Sequence, residues 1–223
     1  MSIKAKLFLV LCSVFVAAVA VGSNMAFKLN YTLLTNTDHN DINWVSLPYF
    51  NNYTVSENIC VDIEFVDCSW GIVPWIAYFD TATNSTVTHM CGSAKSDYNI
   101  FPGRGYAIAV TTNTCTWKIV GSHNDAYDTT LGVSFETNTY GNNINWISVP
   151  YHSTVTVAES LCTQINANCT NIATSAAYFD TATNSDVTHA CGSSKNNFNV
   201  IPGRAIAVSV TAAGSSCWHP AHY

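Results

Sequence analysis

Charge is what this sequence has least of. Asp, Glu, Lys and Arg make up only 10% of its 223 residues, against roughly 25% in an ordinary globular domain. Thr, Asn and Ser supply the polarity instead. Eight Lys and Arg face 14 Asp and Glu, for a net charge of −6. The basic residues form no cluster, which argues against nucleic acid as a partner. Catalytic signatures are missing as well: neither Gly-x-Ser-x-Gly nor His-Glu-x-x-His occurs. There is no Cys-x2-Cys pair, and zinc sites normally need ligands that closely spaced. Past the first 26 residues no apolar run is long enough to span a membrane. The composition is nevertheless that of a folded protein, because hydrophobic residues reach 48% and aromatics 12%. A neutral surface rich in hydroxyls and amides suits work outside the cell, or packing against copies of itself.

What is present is a stretch spelled twice. Ala77-Tyr-Phe-Asp-Thr-Ala-Thr-Asn-Ser85 returns as Ala177 to Ser185, and the match continues through Cys91-Gly-Ser93 to Pro102-Gly-Arg104 and its copy at Pro202 to Arg204. Without a gap, 20 of the 28 positions from Ala77 to Arg104 are identical, which marks a duplicated structural unit. The duplication divides the chain into residues 27–126 and 127–223, each near 100 residues and able to bury a core of its own.

Residues 1–26 read as an export signal. Lys4 and Lys6 form the positive end, Leu7 to Val21 the apolar run, and cleavage is expected after Ala20 (Ala18-Val-Ala20) or Ala26 (Asn24-Met-Ala26). The competing reading, a retained anchor helix, asks for about 20 apolar residues. Cys12 lies in the signal. The other eight cysteines divide four and four: Cys60, Cys68, Cys91 and Cys115 correspond to Cys162, Cys169, Cys191 and Cys217. An even set behind an export signal reads as disulfides, with three pairings open in each unit. Zinc is the alternative, since His89-Met-Cys91 and His189-Ala-Cys191 offer two ligands each. No metal and no cofactor are expected.

Local patterns outline one unit. Phe27 to Leu34 partly alternates and reads as a first strand, with its counterpart at about Leu131 to Tyr140. Asn43 to Tyr49 and Asn145 to Tyr151 read as half-buried strands, with Trp44 and Trp146 in the core and Pro48 and Pro150 marking the ends. Thr54-Val-Ser-Glu57 and Thr156-Val-Ala-Glu159 fit a capping box. A short helix follows, carrying Ile59, Cys60 and Ile63 or Leu161, Cys162 and Ile165, and ends before Cys68 or Cys169. Ile76 to Phe79, a turn at Asp80 to Asn84 and a return strand at Thr86 to His89 form a hairpin. Its Asp and Asn are turn residues, too few for the 6–8 oxygens of a calcium site. A Pro-Gly turn at residues 102–103 leads into Tyr106 to Val110, as that at 202–203 leads into Ala205 to Val210. A last strand holds Cys115 to Trp117 or Cys217-Trp218. The fold class that follows is mainly β: two tandem homologous β-sandwich or barrel-like units, each with one short helix and stapled by disulfides.

Taken together, Trp44 to Tyr49, Cys60, Tyr78 to Asp80, Cys91-Gly92, Pro102-Gly-Arg104 and Gly121-Ser-His123, with Pro220-Ala-His-Tyr223 closing unit two, resemble a group of secreted bacterial tandem β-rich repeat domains. The resemblance covers nearly the whole mature chain, and its motifs are structural. It implies an extracytoplasmic module without catalytic activity. It also implies the pairs Cys60–Cys91 and Cys162–Cys191, leaving Cys68–Cys115 and Cys169–Cys217.

No enzyme is expected. Among acidic residues repeated in both copies, Glu57 and Glu159 are explained by capping and Asp80 and Asp180 by turns. The recurring histidines are His89/His189 and His123/His222, and His89 reads as a packed ring. One candidate function is a secreted glycan-binding or adhesion module, using Trp44, Trp70, Trp75, Tyr49 or Tyr53 as stacking platforms. The favoured one is an extracellular structural protein, a self-assembling subunit of a bacterial surface filament or layer whose partner is itself. Its assembly strand would be Phe27, Leu29, Tyr31, Leu33 and Leu34, free at its N-terminal end after signal removal and able to add to a neighbour's sheet. Pairing within its own unit is the competing fate of that strand.

Overall fold

A computed structural model describes residues 27–38, 41–111, 114–122 and 131–220. The expected export signal and the closing histidines His123 and His222 lie outside the described residues. The chain is mainly β. Unit one contains β1 (Phe27–Leu33), β2 (Ile42–Ser46), helix α1 (Ser56–Val61) running on into a π-helical turn (Asp62–Asp67), β3 (Trp75–Asp80), β4 (Ser85–Met90), β5 (Gly105–Ala109) and β6 (Cys115–Gly121). Unit two repeats it with β7 (Val133–Phe135), β8 (Ile144–Ile147), α2 (Ala158–Asn168), β9 (Ala173–Asp180), β10 (Ser185–Ala190), β11 (Ile206–Val210) and β12 (Gly214–Trp218). Each unit is a sandwich of a four-stranded sheet, ordered β2-β5-β3-β4 or β8-β11-β9-β10, and a two-stranded one, β1-β6 or β7-β12. Every pairing is antiparallel.

The hairpins form where the sequence places them. Asp80 Oδ1 accepts the N–H of Ala82 at 3.1 Å, and Asp180 Oδ1 that of Ala182 at 3.1 Å. Asn84 and Asn184 close these turns at φ 53° and 50°, a left-handed conformation that Asn tolerates better than most residues. The helices start differently from the expected capping box. Val55 and Val157 are the N-caps. Asn58 Oδ1 accepts the Val55 N–H at 3.2 Å, and Ser160 Oγ that of Val157 at 3.2 Å. Asp97 and Asn197, some forty residues away, accept the N–H groups of Glu57 and Glu159. Glu57 and Glu159 are thereby released for another role.

Two apolar cores fill the space between sheets and helices. Ile59, Ile63, Ile76, Ile108, Ile119 and Trp117 centre the first; Leu161, Ile165, Ala176, Ile206, Val208 and Trp218 centre the second. The core tryptophans are thus Trp117 and Trp218, both fully buried, and not Trp44 and Trp146, which are half-buried. Each core indole N–H reaches the helix, Trp117 Nε1 to Asp62 Oδ2 at 2.7 Å and Trp218 Nε1 to Gln164 Oε1 at 2.9 Å. Asn43 and Val45 on β2, and Leu47 just past its end, face the core, so alternation turns Trp44 and Ser46 to the opposite face.

Four disulfides staple the units: Cys60–Cys91, Cys68–Cys115, Cys162–Cys191 and Cys169–Cys217. These are the pairs that the resemblance implies. One bridge in each unit ties the helix to the hairpin, and the other ties the helix end to the last strand. They close loops of 29–48 residues, for which chain entropy alone predicts about 3–4 kcal/mol each.

Candidate functional site

The outer face of β2 is not solvent. It meets its own copy, and the contacts are reciprocal. Ser46 N–H donates to Gly203 O at 2.8 Å, and Ser148 N–H to Gly103 O at 2.9 Å. Thr81 Oγ1 donates to Ile144 O at 2.5 Å, and Thr181 Oγ1 to Ile42 O at 2.6 Å. Asn36 Nδ2 donates to Thr181 O and Asn138 Nδ2 to Thr81 O, at 3.0 and 2.9 Å. Tyr49 O–H reaches Ser148 O and Tyr151 O–H reaches Ser46 O, at 2.7 and 2.8 Å. Trp44 and Trp146 stack face to face, and the buried Ser46 and Ser148 hydroxyls bond to each other. Residue i touching j while j's copy touches i's copy is the signature of a two-fold contact, here within one chain. Gly105 and Ala205 also meet there: a Cβ on Gly105 would stand 2.6 Å from that of Ala205.

Two clefts of about 220 and 210 Å3 open along this junction and exchange under the same symmetry. The first lies between the unit-one hairpin turn (Asp80, Thr81), the 101–104 turn and strands β7 and β8. The second lies between Asp180, Thr181, the 201–204 turn and strand β1.

The proposed assembly strand sits on the second cleft. β1 pairs along its whole length with β6 of its own unit, from Phe27 opposite Gly121 to Leu33 opposite Cys115. Leu33 is fully buried in the core of unit one. Asn43 pins the strand's end, accepting from Leu34 N and donating to Leu34 O. Phe27 packs edge-on against His152, 3.8 Å between centroids. Leu29 and Tyr31 close over Gly203, where no Cβ would fit. Burial there pushes the Tyr31 phenol up to about 12.

Both units carry a second polar constellation. His89, fully buried, places Nε2 2.7 Å from Glu57 Oε2 and Nδ1 3.2 Å from Lys95 O; His189 does the same with Glu159 and Lys195 O at 2.7 and 2.9 Å. Each glutamate also accepts a glycine N–H, from Gly92 or Gly192. The hydrogen bond from His189 holds the Glu159 carboxyl below its usual range, and the Gly192 N–H adds to the effect. Cys60 or Cys162 completes a three-residue group whose geometry suits a metal, but its sulfur is tied in a disulfide and offers no thiolate. The group is a clasp: hydrogen bonds and a disulfide hold one helix to one hairpin. The sequence signal was the repetition of Glu and His, masked by a capping pattern that assigned the Glu elsewhere.

The remaining aromatic candidates divide. Tyr49 is buried within the second unit's core. Tyr53 donates to Asp62 Oδ2 at 2.6 Å, and burial together with that bond pushes the phenol pKa well above its ordinary value. Trp70 is 71% exposed, edge-on to the exposed Phe65.

The four-stranded sheets end on β4 and β10, which like the other end strands have a single hydrogen-bonded neighbour. At the opposite ends of these sheets, β2 and β8 are met across the junction through the Val45–Arg204 and Ile147–Arg104 bridges. Cys91 N–H bonds inward to Pro74 O, so alternation turns the N–H and C=O of Thr86 and Thr88 outward. β4 (Ser-Thr-Val-Thr-His-Met) carries no Lys, Pro, carboxylate or register shift. β10 carries Asp186, and Asn196 Nδ2 covers Thr188 O at 3.3 Å. Among the described residues no helix is long and apolar enough to cross a membrane. Comparison with protein-family models, curated proteins and solved structures finds no match.

Proposed function

We propose that this chain is a non-catalytic extracellular structural protein, a subunit that assembles with copies of itself into a filament or layer at a bacterial surface. Four disulfides fit an oxidising, extracytoplasmic setting, and the bacterial origin follows the sequence resemblance. The observation that carries the reading is the unguarded end strand β4. Folded proteins normally guard an edge strand with charge, proline or a bulge, because its unpaired backbone templates association. β4 has none of these guards, whereas its copy β10 carries Asp186 and has Asn196 over Thr188 O. Joining β4 of one copy to β10 of the next is a heterologous contact, which repeats into an open filament unless rotation closes it. β1 is the weaker candidate for the contact because its own unit already uses it.

Electron microscopy of the exported protein tests this. Regular fibres or sheets are expected from the wild type. Thr88→Pro removes an outward N–H and leaves the ladder to β3 intact, so it should yield folded, disulfide-bonded subunits that do not polymerise. Wild-type protein that stays monomeric at high concentration, or fibres unchanged in the proline variant, would overturn the reading.

A further inference from the structure

The chain has two arginines, Arg104 and Arg204. They are copies of each other, and each lines one of the two junction clefts. The Arg104 guanidinium lies 4.2 Å from the Tyr78 ring centre and 5.3 Å from that of Phe101; Arg204 lies 4.0 Å from the Tyr178 ring centre. The aromatic faces hold both forks in place at half-burial. Among the described residues, neither guanidinium has a carboxylate within ion-pair distance or a hydrogen-bond acceptor. A planar fork of five N–H donors, pre-oriented and unspent, matches a carboxylate bidentately.

The rest of each cleft narrows the ligand. Asp80, Thr81 and Glu136 line the first cleft beside Arg104, and Asp180 and Thr181 the second beside Arg204. Asn145 and Asn43 line them too but spend both amide atoms on backbone groups. Exposed Phe101, or Ile201 in the copy, supplies an apolar wall. At 220 and 210 Å3, both spaces fall below the ~300–1,000 Å3 of pockets for drug-sized ligands; each has room for one ring-sized group. We propose that the two clefts are a matched pair of subsites for a uronic acid residue of a glycan. The carboxylate docks on Arg104 or Arg204, ring hydroxyls donate to Asp80 or Asp180, and the ring face rests on residue 101 or 201. Two such sites on one chain favour a repeating acidic polysaccharide, since the second contact is intramolecular and raises avidity. Neither cleft uses a β4 or β10 residue, so this binding is separable from assembly.

Calorimetric titration of the full chain with trigalacturonate, and in parallel with its glucuronate analogue, is the test. The fully methyl-esterified trigalacturonate serves as a neutral control. Two sites per chain are expected for at least one acidic trimer, with the ester at least tenfold weaker. Arg104→Gln should leave one site and the Arg104→Gln/Arg204→Gln pair none, with thermal melting showing the fold retained. Arg104→Lys keeps the cation but loses the fork, and should weaken its site severalfold. Silence with both acidic trimers, equal binding of the ester, or binding that survives the double substitution would overturn the proposal.

Discussion

The indole of Trp44 lies flat on that of Trp146, with 3.8 Å between ring centres and 5° between planes. Each residue is the other's copy, so the stack sits where the two units face each other as equals. Neither ring belongs to a core, and truncating either one should cost less than the ~3–5 kcal/mol of a fully buried tryptophan. The coupling between them is the sharper quantity. In urea denaturation of Trp44→Ala, Trp146→Ala and the double variant, a coupling energy of about 0.5–1.5 kcal/mol is expected. Strict additivity would mean that the stack contributes nothing beyond area.

Gly105 faces Ala205 across the same junction, with Trp146 backbone and Cβ also close. Gly105→Ala brings two methyl groups together at 2.6 Å and should destabilise by roughly 1–3 kcal/mol through overpacking. Adding Ala205→Gly exchanges the two residues and should restore most of the loss. Chemical denaturation of the three variants measures both effects.

Tyr98 buries a hydroxyl that has no hydrogen-bond partner, and burial pushes its pKa well above the ordinary phenol value. Unit two has Phe198 in the same edge-on packing, with ring centres 4.9 Å from Tyr178 as Tyr98 is from Tyr78. Tyr98→Phe should therefore be neutral or stabilise by up to about 1–3 kcal/mol, the cost of an unsatisfied buried group. Phe198→Tyr should destabilise. A fall in melting temperature for Tyr98→Phe would show that the hydroxyl is satisfied in solution.

The clasp of Glu159 on His189 makes a pH prediction. The folded carboxyl titrates below its ordinary value of 4.5 because His189 hydrogen-bonds its ionised form. A depressed acid binds fewer protons folded than unfolded, so its stabilisation is present above about pH 4.5 and fades as pH falls through the lower folded value. The difference in melting temperature between wild type and Glu159→Gln should be clear at pH 7 and shrink steadily in acid. A difference independent of pH would assign the effect to packing alone.

Much of one unit could be read from residue types. The hairpin followed from Asp80 and Asn84, whose turn chemistry is local, and the helix from Ile59, Cys60 and Ile63 at helical spacing. The β-sandwich class followed from short strands and duplicated cysteines. Trp44 was misplaced because alternation along β2 tells which residues share a face and not which face is the core. Unit two covers the outer face, so both faces are at least half-buried. The clasp was hidden because Glu57 sits where a capping box would place it, while Asp97, forty residues on, does the capping. The arginine clefts were illegible for the same reason as the junction: they exist only where one unit meets the other, and no pattern within a unit encodes that meeting.

The Gly105 and Ala205 contact also says something about kinship. A two-fold contact between identical halves is indifferent to which half meets which. Here one side, Ala205, carries a methyl group and the other, Gly105, does not. Two copies of unit two would collide at that point, and two copies of unit one would leave a gap. The halves have become left and right gloves: each fits the hand beside it in the same chain better than its own duplicate. That difference favours the pairing of a first unit with a second one over the pairing of like units.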